Sequence, residues 1–543
     1  MKKLFTLALV CVLALNSYAQ EPGEIDANFG TDGVYVFHPA EGIGFGYFDF
    51  IYKVLVQEDG KILTVGETRP DGSNYTIYVS RHNADGTLDN TYGENGIVYF
   101  AVDPLIYKNC AYDAVLSEDG LLYMTGYTFD YMNNKGFVVC LDENGFENPD
   151  FGENGIVVTE YGGGIVYEAI DIDSKGRCVV AGYLNDEIVV RRYTTNGELD
   201  ASFGDNGTVA IELDPDPNSH SYAFEIKALE DGKIIICGDR RAAVDDGHVI
   251  WSYILRLKAN GSLDNTFAEN GVLYLYAGEY AEMALSLAVT PDGKYLVGGH
   301  DELYSETPEM PRYESFITRV NTDGTIDETF GTDGFVKIEP FVGDGMVNFS
   351  YSILSAPDGQ IFGTVYSRNI AEDSYRGYVY NLDKDGNFNE AFAGSGIVPL
   401  PKVDEEQCEL NTYSIALLGN DKLIVGGFVG FDESDYTKLY LTSVNVNVET
   451  NDEGDNNEGT EGVEEVQAEF NIHPNPATST LFIETALNEN VKVSIIDLTG
   501  RCVKEVELTQ TVSSLNIEDV ESGVYFISIQ QGDNNFVEKL IVK

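Results

Sequence analysis

One phrase recurs seven times along the chain: an aromatic residue, a small residue, two polar or small residues and a glycine. It reads FGTDG at Phe29, YGENG at Tyr92, FGENG at Phe151, FGDNG at Phe203, FAENG at Phe267, FGTDG at Phe330 and FAGSG at Phe392. Successive anchors lie 63, 59, 52, 64, 63 and 62 residues apart. That period is too regular for chance and too long for a helical solenoid, so the chain must fold as a repeat of one supersecondary unit.

Within a unit the grammar is that of short strands and tight turns. The second unit runs GIVYFAV, a segment around Ala111 to Leu116, the turn Glu118-Asp119-Gly120, LLYMTG and GFVVCLDENG. Each run is rich in β-branched and aromatic residues and is bounded by Asp-Gly or Asn-Gly, pairs suited to hairpin turns that need positive φ. The third run is the clearest: GKILTVG ends at Gly66, GKIIICG at Gly238, GKYLVGG at Gly299 and DKLIVGG at Gly427. Its terminal glycine predicts a bulge or a close approach of backbone. The third unit writes this run as GRCVVAG, and the sixth departs from it, with GQIFGTV carrying its glycine early.

Four strands per unit and seven units match the arithmetic of a β-propeller. The seventh unit runs out near Leu439 to Asn447 without an anchor, whereas the N-terminus begins with an orphan phrase, GEIDANFG. One end supplies what the other lacks, so residues 21–37 are expected to dock beside the last blade. Arg81, Arg192, Arg256 and Arg319 share one register, each followed eight residues later by an acid: Asp89, Asp200, Asp264 and Asp327. A clamp repeated in this way reads as structural, because a group present in many blades does not mark one active site.

These phrases, LD-x-x-F-G-x-x-G, DGKIL-V-G and R-x-N-x-DG, resemble the delta-60 repeat family of bacterial propeller-like proteins over residues 23–447. The resemblance implies the fold and no settled activity. The expected class is therefore all-β: a seven-bladed β-propeller over 20–448, followed by a C-terminal Ig-like β-sandwich.

The ends of the chain concern export. Lys2 and Lys3, the apolar run Leu4 to Leu15 and the small-residue site Ser17-Tyr18-Ala19 form a signal peptide over residues 1–19, too short in its apolar part to read as a membrane span. From 449 to 467 the sequence ETNDEGDNNEGTEGVEEVQ carries eight acids and no base, a flexible, self-repelling linker. Residues 468–543 are a third, separate unit. Alternation at Val491, Val493 and Ile495, and at Tyr525, Ile527 and Ile529, indicates a half-buried antiparallel sandwich. Pro474-Asn475-Pro476, Asp497 to Gly500, Gly523-Val524-Tyr525 and an end bearing Lys539 occur in order, and together resemble the type A C-terminal sorting domain of the type IX secretion system of Bacteroidetes. By that resemblance the partners are the type IX translocon and its sortase-like processing machinery. The route is Sec export to the periplasm, then the outer-membrane surface or the medium.

Ninety acidic against 33 basic residues give a formal net charge of -57, which excludes nucleic acid as a partner because phosphate binding depends on Lys and Arg. Six mature cysteines are scattered without CxxC pairing, and Cys178 and Cys237 sit in strand-like runs as small buried hydrophobes. His38, His82, His220, His248, His300 and His473 lack HxH or HExxH spacing, and no GxSxG elbow or phosphate loop occurs. No catalytic, cofactor or metal residue is assigned. Calcium is the one ion considered, for the acidic linker and for the turn Asp383-Lys384-Asp385-Gly386-Asn387, and neither has the ligand spacing of a loop site. The single tryptophan, Trp251, stands outside any sialidase-type box.

The expected function is a non-catalytic surface or secreted module binding a glycan, peptide or protein. The rivals are a glycan hydrolase or lyase with carboxylates in the central funnel, and a purely structural surface protein. Acids converging on unit-specific loops would favour the enzyme, and one residue repeated from every blade would favour binding or scaffold. Specificity is expected where the repeat breaks, at 214–222, 240–251 and 301–313.

Overall fold

The computed structural model describes residues 21–39, 48–69, 74–159, 164–185, 187–214, 216, 219–244, 247–275, 281–303, 311–343, 345–371, 374–403, 407–431 and 434–449, then 470–473, 480–485, 491–497, 501–508, 512–517, 520, 523–531 and 534–542. The signal peptide, the linker beyond Glu449 and the motif residues Pro474, Asn475, Pro476 and Gly500 lie outside them. The chain divides into two compact units, Met1–Asp452 and Glu453–Lys543. Every regular element among the described residues is a strand.

The larger unit is a β-propeller. Its strands fall into antiparallel sets of four, each running outward from a first strand. The first set is Phe50–Val56, Ile62–Thr68, Thr76–His82 and Ile97–Phe100, and the second Lys108–Leu116, Leu122–Phe129, Asn134–Leu141 and Ile156–Thr159. The third is Ile165–Ile172, Cys178–Leu184, Glu187–Tyr193 and Thr208–Ile211, and the fourth His220–Ala228, Ile234–Val244, Gly247–Leu257 and Val272–Tyr274. The fifth is Ala281–Val289, Tyr295–Leu303, Arg312–Val320 and Phe335–Ile338, and the sixth Met346–Ser355, Ile361–Asn369, Ser374–Leu382 and Ile397–Pro399. Single parallel bridges, Ile250 to Ala281 and Tyr313 to Val347, join the fourth, fifth and sixth into one twelve-stranded sheet.

The last set takes three strands from the end of the unit, Gln407–Leu418, Lys422–Phe431 and Ser434–Asn445. Its fourth strand comes from the beginning, Val34–Phe37, in a register running from Val34 opposite Thr442 to Phe37 opposite Leu439. Gly23 N donates to Asn445 O at 2.8 Å, and Lys422 pairs with Asp26. The N-terminal segment thus completes the set that the C-terminal segment begins.

The anchors explain why neighbouring sets stay together. Each of the seven is at most 1% exposed, and each belongs to a different apolar cluster built from two adjacent sets. Phe203 packs with Val179 and Val190 of the third set and with Ile226, Ile236 and Leu255 of the fourth. Phe29, from the N-terminal phrase, packs with Leu441 of the last set and Ile62 of the first. The Asn-Gly or Asp-Gly turn of the following set closes over the ring. A Cβ at Gly261, where φ is +86°, would stand 3.1 Å from the Phe203 ring, so the glycine serves both the turn and the contact.

The repeated arginine fastens the same joint. The Nε groups of Arg81, Arg192, Arg256 and Arg319 donate to Asp89, Asp200, Asp264 and Asp327 at 2.9, 2.8, 2.9 and 2.7 Å. Their Nη1 groups reach the next set, donating to the carbonyls of Glu143, Ala259, Thr322 and Lys384. Each guanidinium also lies over its own anchor ring, 4.5 Å from the centroid for Arg192 and Phe203, an attraction of about 0.5–2 kcal/mol. Burial opposes the charge on Asp200, yet hydrogen bonds from Ser202 and the Arg192 cation hold its carboxyl down at about 2. Three sets replace the pair: the last has Ser443 with Asp26, whose N–H donates to Ser443 O at 2.8 Å. The second has Cys140 and Asn148, and the sixth has Asn381 and Asn389, with Asn389 Nδ2 donating to Asn381 Oδ1 at 2.7 Å.

The smaller unit holds two sheets, Phe470–His473 with Thr480–Thr485 and Val512–Asn516, and Cys502–Leu508 with Val491–Asp497, Gly523–Gln531 and Asn534–Val542. Alternate residues of both, including Leu481, Ile483, Val493, Ile495, Tyr525 and Ile527, form one core. Asp497 lies opposite Tyr525, Gly523 opposite Val542 and Lys539 opposite Phe526.

Candidate functional site

The first strands of all seven sets surround one cavity of about 190 Å³. What aims side chains into it is a β-bulge repeated at the same place in every first strand. In the first set the register jumps from Ile51 opposite Gly66 to Lys53 opposite Val65, leaving Tyr52 unpaired. The same jump leaves out Tyr112, Glu168, Phe224, Leu285 and Tyr413. In the sixth set it leaves out two residues, Ser350 and Tyr351.

A glycine inside the second strand makes the bulge fit. A Cβ on Gly66 would stand 1.8 Å from Phe50 O, on Gly238 1.9 Å from Tyr222 O and on Gly427 1.8 Å from Asn411 O. No side chain can occupy such a position, so the terminal glycine read from sequence marks a bulge on the strand opposite. The sixth set carries its glycine at Gly363, two places early, and it is the set whose bulge holds two residues.

Tyr52, Tyr112, Glu168, Phe224, Leu285, Tyr351 and Tyr413 are half-buried, while the residue before each of them is buried. On one side, Tyr112, Tyr52, Tyr413 and Tyr351 form a continuous aromatic arc across four sets, with centroid separations of 5.2, 5.7 and 5.0 Å. Burial raises the pKa of each phenol, Tyr351 to about 12, so all four remain hydroxyl donors at neutral pH. Tyr52 donates to Glu67 Oε1 at 3.1 Å.

The other side is charged. Lys53 Nζ lies 2.7 Å from Asp113 Oδ1, and Asp113 Oδ2 accepts Ile170 N of the next set at 2.9 Å. Lys227 Nζ lies 2.8 Å from Glu225 Oε1. Burial raises the Asp113 carboxyl despite Lys53, whereas the Lys227 and Lys53 ammonium groups outweigh burial and hold Glu225 low. Burial pushes Glu168 up to about 7, with Lys108 only partly opposing it.

The cavity therefore meets neither simple expectation. Its acids come from strands and not from unit-specific loops, and one position is supplied by every set, as tyrosine in four and as Glu, Phe or Leu in the other three. Among the other expected places, Trp251 is half-buried beneath Arg240, whose guanidinium carbon lies 4.8 Å from its ring, and residues 304–310 fall outside the described ones. In the Asp383 turn, Oδ1 accepts the N–H groups of Asp385 and Asn387 at 2.9 Å. Among the described residues, no group of three or more His, Cys, Asp or Glu side chains could hold a metal, and no helix is long and apolar enough to cross a membrane. The anchors lie between the sets and away from the cavity lining.

Fold and tail together define an exported β-propeller. Residues 471–543 match the family described as secretion system C-terminal sorting domain, and residues 57–92, 176–203, 229–267 and 290–330 match the domain of unknown function DUF5122 beta-propeller. The chain thus carries a DUF5122 propeller and a sorting domain that marks it for type IX export to the cell surface or the medium. No curated protein matches it. Similar solved structures include the polysaccharide lyase Uly1 (10% identity, TM-score 0.45, covering 77% of this chain and 93% of that one). Others are the β-propeller domain of the Trilobed protease from Pyrococcus furiosus (10%, 0.38, 75% and 98%) and the GH74 xyloglucanase from Xanthomonas campestris (11%, 0.38, 73% and 54%).

Proposed function

We propose that the seven strand sets are the blades of one closed seven-bladed ring, and that the protein is a non-catalytic binding module whose ligand occupies the central cavity. The ring of bulged residues carries this reading: backbone geometry fixes one inward position per set, while the side chain there varies as Tyr, Tyr, Glu, Phe, Leu, Tyr and Tyr. A fixed frame with variable chemistry suits recognition of a shaped ligand. Asp113 and Glu225 are engaged by lysines and do not stand as a free acid and base pair. A glycan and peptide array combined with a hydrolysis screen on the whole mature chain tests this. Saturable binding that Tyr413→Ala abolishes, without turnover, is the expected result, and glycan turnover would overturn it.

The second reading is a glycan hydrolase or lyase, favoured by Glu168, whose carboxyl near 7 lies in the range of a general acid at neutral pH. In that case Glu168→Gln would remove turnover while leaving binding in place.

For export, we propose that residues 1–19 direct Sec translocation to the periplasm, that 449–467 act as a flexible spacer and that 468–543, an Ig-like sandwich, are read by the type IX translocon and cut by its sortase-like machinery. A chain lacking 468–543 is expected to accumulate, folded, in the periplasm. Immunoblotting of cell fractions checks this, and normal surface display of the truncated chain would refute it.

A further inference from the structure

The lining of the central cavity holds one charge more than its own ion pairs consume. One base and three acids reach it, Lys53 against Asp113, Glu168 and Glu225. Lys53 Nζ lies 2.7 Å from Asp113 Oδ1, and Lys227 Nζ lies 2.8 Å from Glu225 Oε1. These two pairs cancel, and Glu168 is the acid left over. Lys108 is the cation that acts on it, and that ammonium is already held 3.2 Å from Glu67 Oε2. Among the described residues, no ion pair or hydrogen bond reaches the Glu168 carboxyl.

The rings beside it supply the other half of a cation site. Tyr112, Tyr52, Tyr413 and Tyr351 all line the cavity from the bulge positions of their sets, and Glu168 holds the same position next to Tyr112 in the third set. Successive rings meet at interplanar angles of 83°, 47° and 60°, so their faces turn in different directions around the space. An aromatic face is the negative part of its quadrupole and attracts a cation. Burial is the main cause of the raised phenols, and carboxylates add to it: Glu67 at Tyr52 and Tyr413, Glu168 at Tyr112, and Glu409 at Tyr351 and Tyr413. Every ring of the arc thus has a carboxylate acting on it.

We propose that the ligand of the central cavity carries a substituted ammonium ion, set among the four tyrosine rings with its positive charge balanced by Glu168. This rests on the reading of the cavity as a binding site and adds the sign and kind of charge that it takes. A neutral ligand would cover Glu168 without compensating it, and an anion would meet Lys53 only as the partner of Asp113. A primary ammonium brings three N–H donors to a lining in which Asp113 and Glu225 are already engaged, whereas a substituted one needs chiefly ring faces and an opposite charge. A space of about 190 Å³ suits a small head group of this kind.

The experiment is calorimetric titration of the mature chain at about pH 8, where a Glu168 carboxyl near 7 is mostly ionised. The probes are choline and the uncharged alcohol in which carbon replaces the nitrogen of choline. Choline is expected to saturate one site and to bind about tenfold or more tighter than the alcohol. Glu168→Gln keeps the shape of the side chain and removes its charge, and is expected to weaken choline by about tenfold while a thermal melt shows the fold intact. Tyr351→Leu, which keeps apolar bulk and removes a ring face, should weaken it in the same direction if Glu168→Gln fails to fold. Tighter binding of Nα-acetyl-Nε-trimethyl-lysine amide than of choline assigns the ion to a peptide, and the reverse order assigns it to a free small molecule. Absence of choline binding, equal binding of the alcohol, or affinity unchanged in both variants would overturn the assignment of charge. In that event a neutral glycan or peptide whose binding Tyr413→Ala abolishes leaves the cavity as the binding site, and absence of any such ligand overturns both readings.

Discussion

Deletion of residues 21–37 is expected to lower the melting temperature of the propeller on the order of 10 °C, well beyond the effect of removing an ordinary surface strand. The segment contributes three separate things to one seam. Val34–Phe37 supplies the fourth strand of the last set, Phe29 fills the apolar cluster between the last and first sets, and Asp26 pairs with Lys422. Removing a buried phenylalanine alone costs about 3–5 kcal/mol, and the deletion also bares the edge of Ser434–Asn445, an invitation to strand pairing between molecules. Differential scanning calorimetry checks the expectation. An unchanged melting temperature would mean that the ring does not depend on this strand for closure.

Phe203→Ala should destabilise the propeller by about 3–5 kcal/mol in chemical denaturation. The ring is fully buried, its cluster joins the third and fourth sets, and Arg192 lies over its face. Truncation therefore leaves a cavity at a joint and takes away the surface against which a buried guanidinium rests. Phe146→Ala is the matched control, because that ring is 62% exposed and its loss should change stability by less than about 0.5 kcal/mol. A loss below about 1 kcal/mol for Phe203→Ala would place the phrase on an exposed, ligand-facing surface.

The joints of this molecule were written plainly in its sequence, and its cavities were not. The anchors, the Arg192 and Asp200 pair and the orphan N-terminal phrase recur or complement one another letter by letter, because each joint solves the same packing problem with the same residues. The glycine closing each GKILTVG-like run is equally visible, and it points to a bulge without showing which residue the bulge displaces. Tyr52, Glu168 and Leu285 share a backbone position and no chemistry, so no motif connects them until the register is known. The sixth joint taught the opposite lesson. Asn381 and Asn389 stand where the repeat calls for Arg and Asp, and they bond each other as a neutral pair, Asn389 Nδ2 donating to Asn381 Oδ1 at 2.7 Å, which no letter of the repeat foretells.

The seam also sets a timetable. Val34 waits for Thr442, more than four hundred residues downstream, so the last strand set cannot be completed until almost all of the larger unit is present. Contacts so distant along the chain form late, after the loop between them has been closed at an entropic cost. Until then the first residues are an unpaired strand and the final set has an open edge. The larger unit thus stays open until Ser434–Asn445 has arrived, wherever the chain folds.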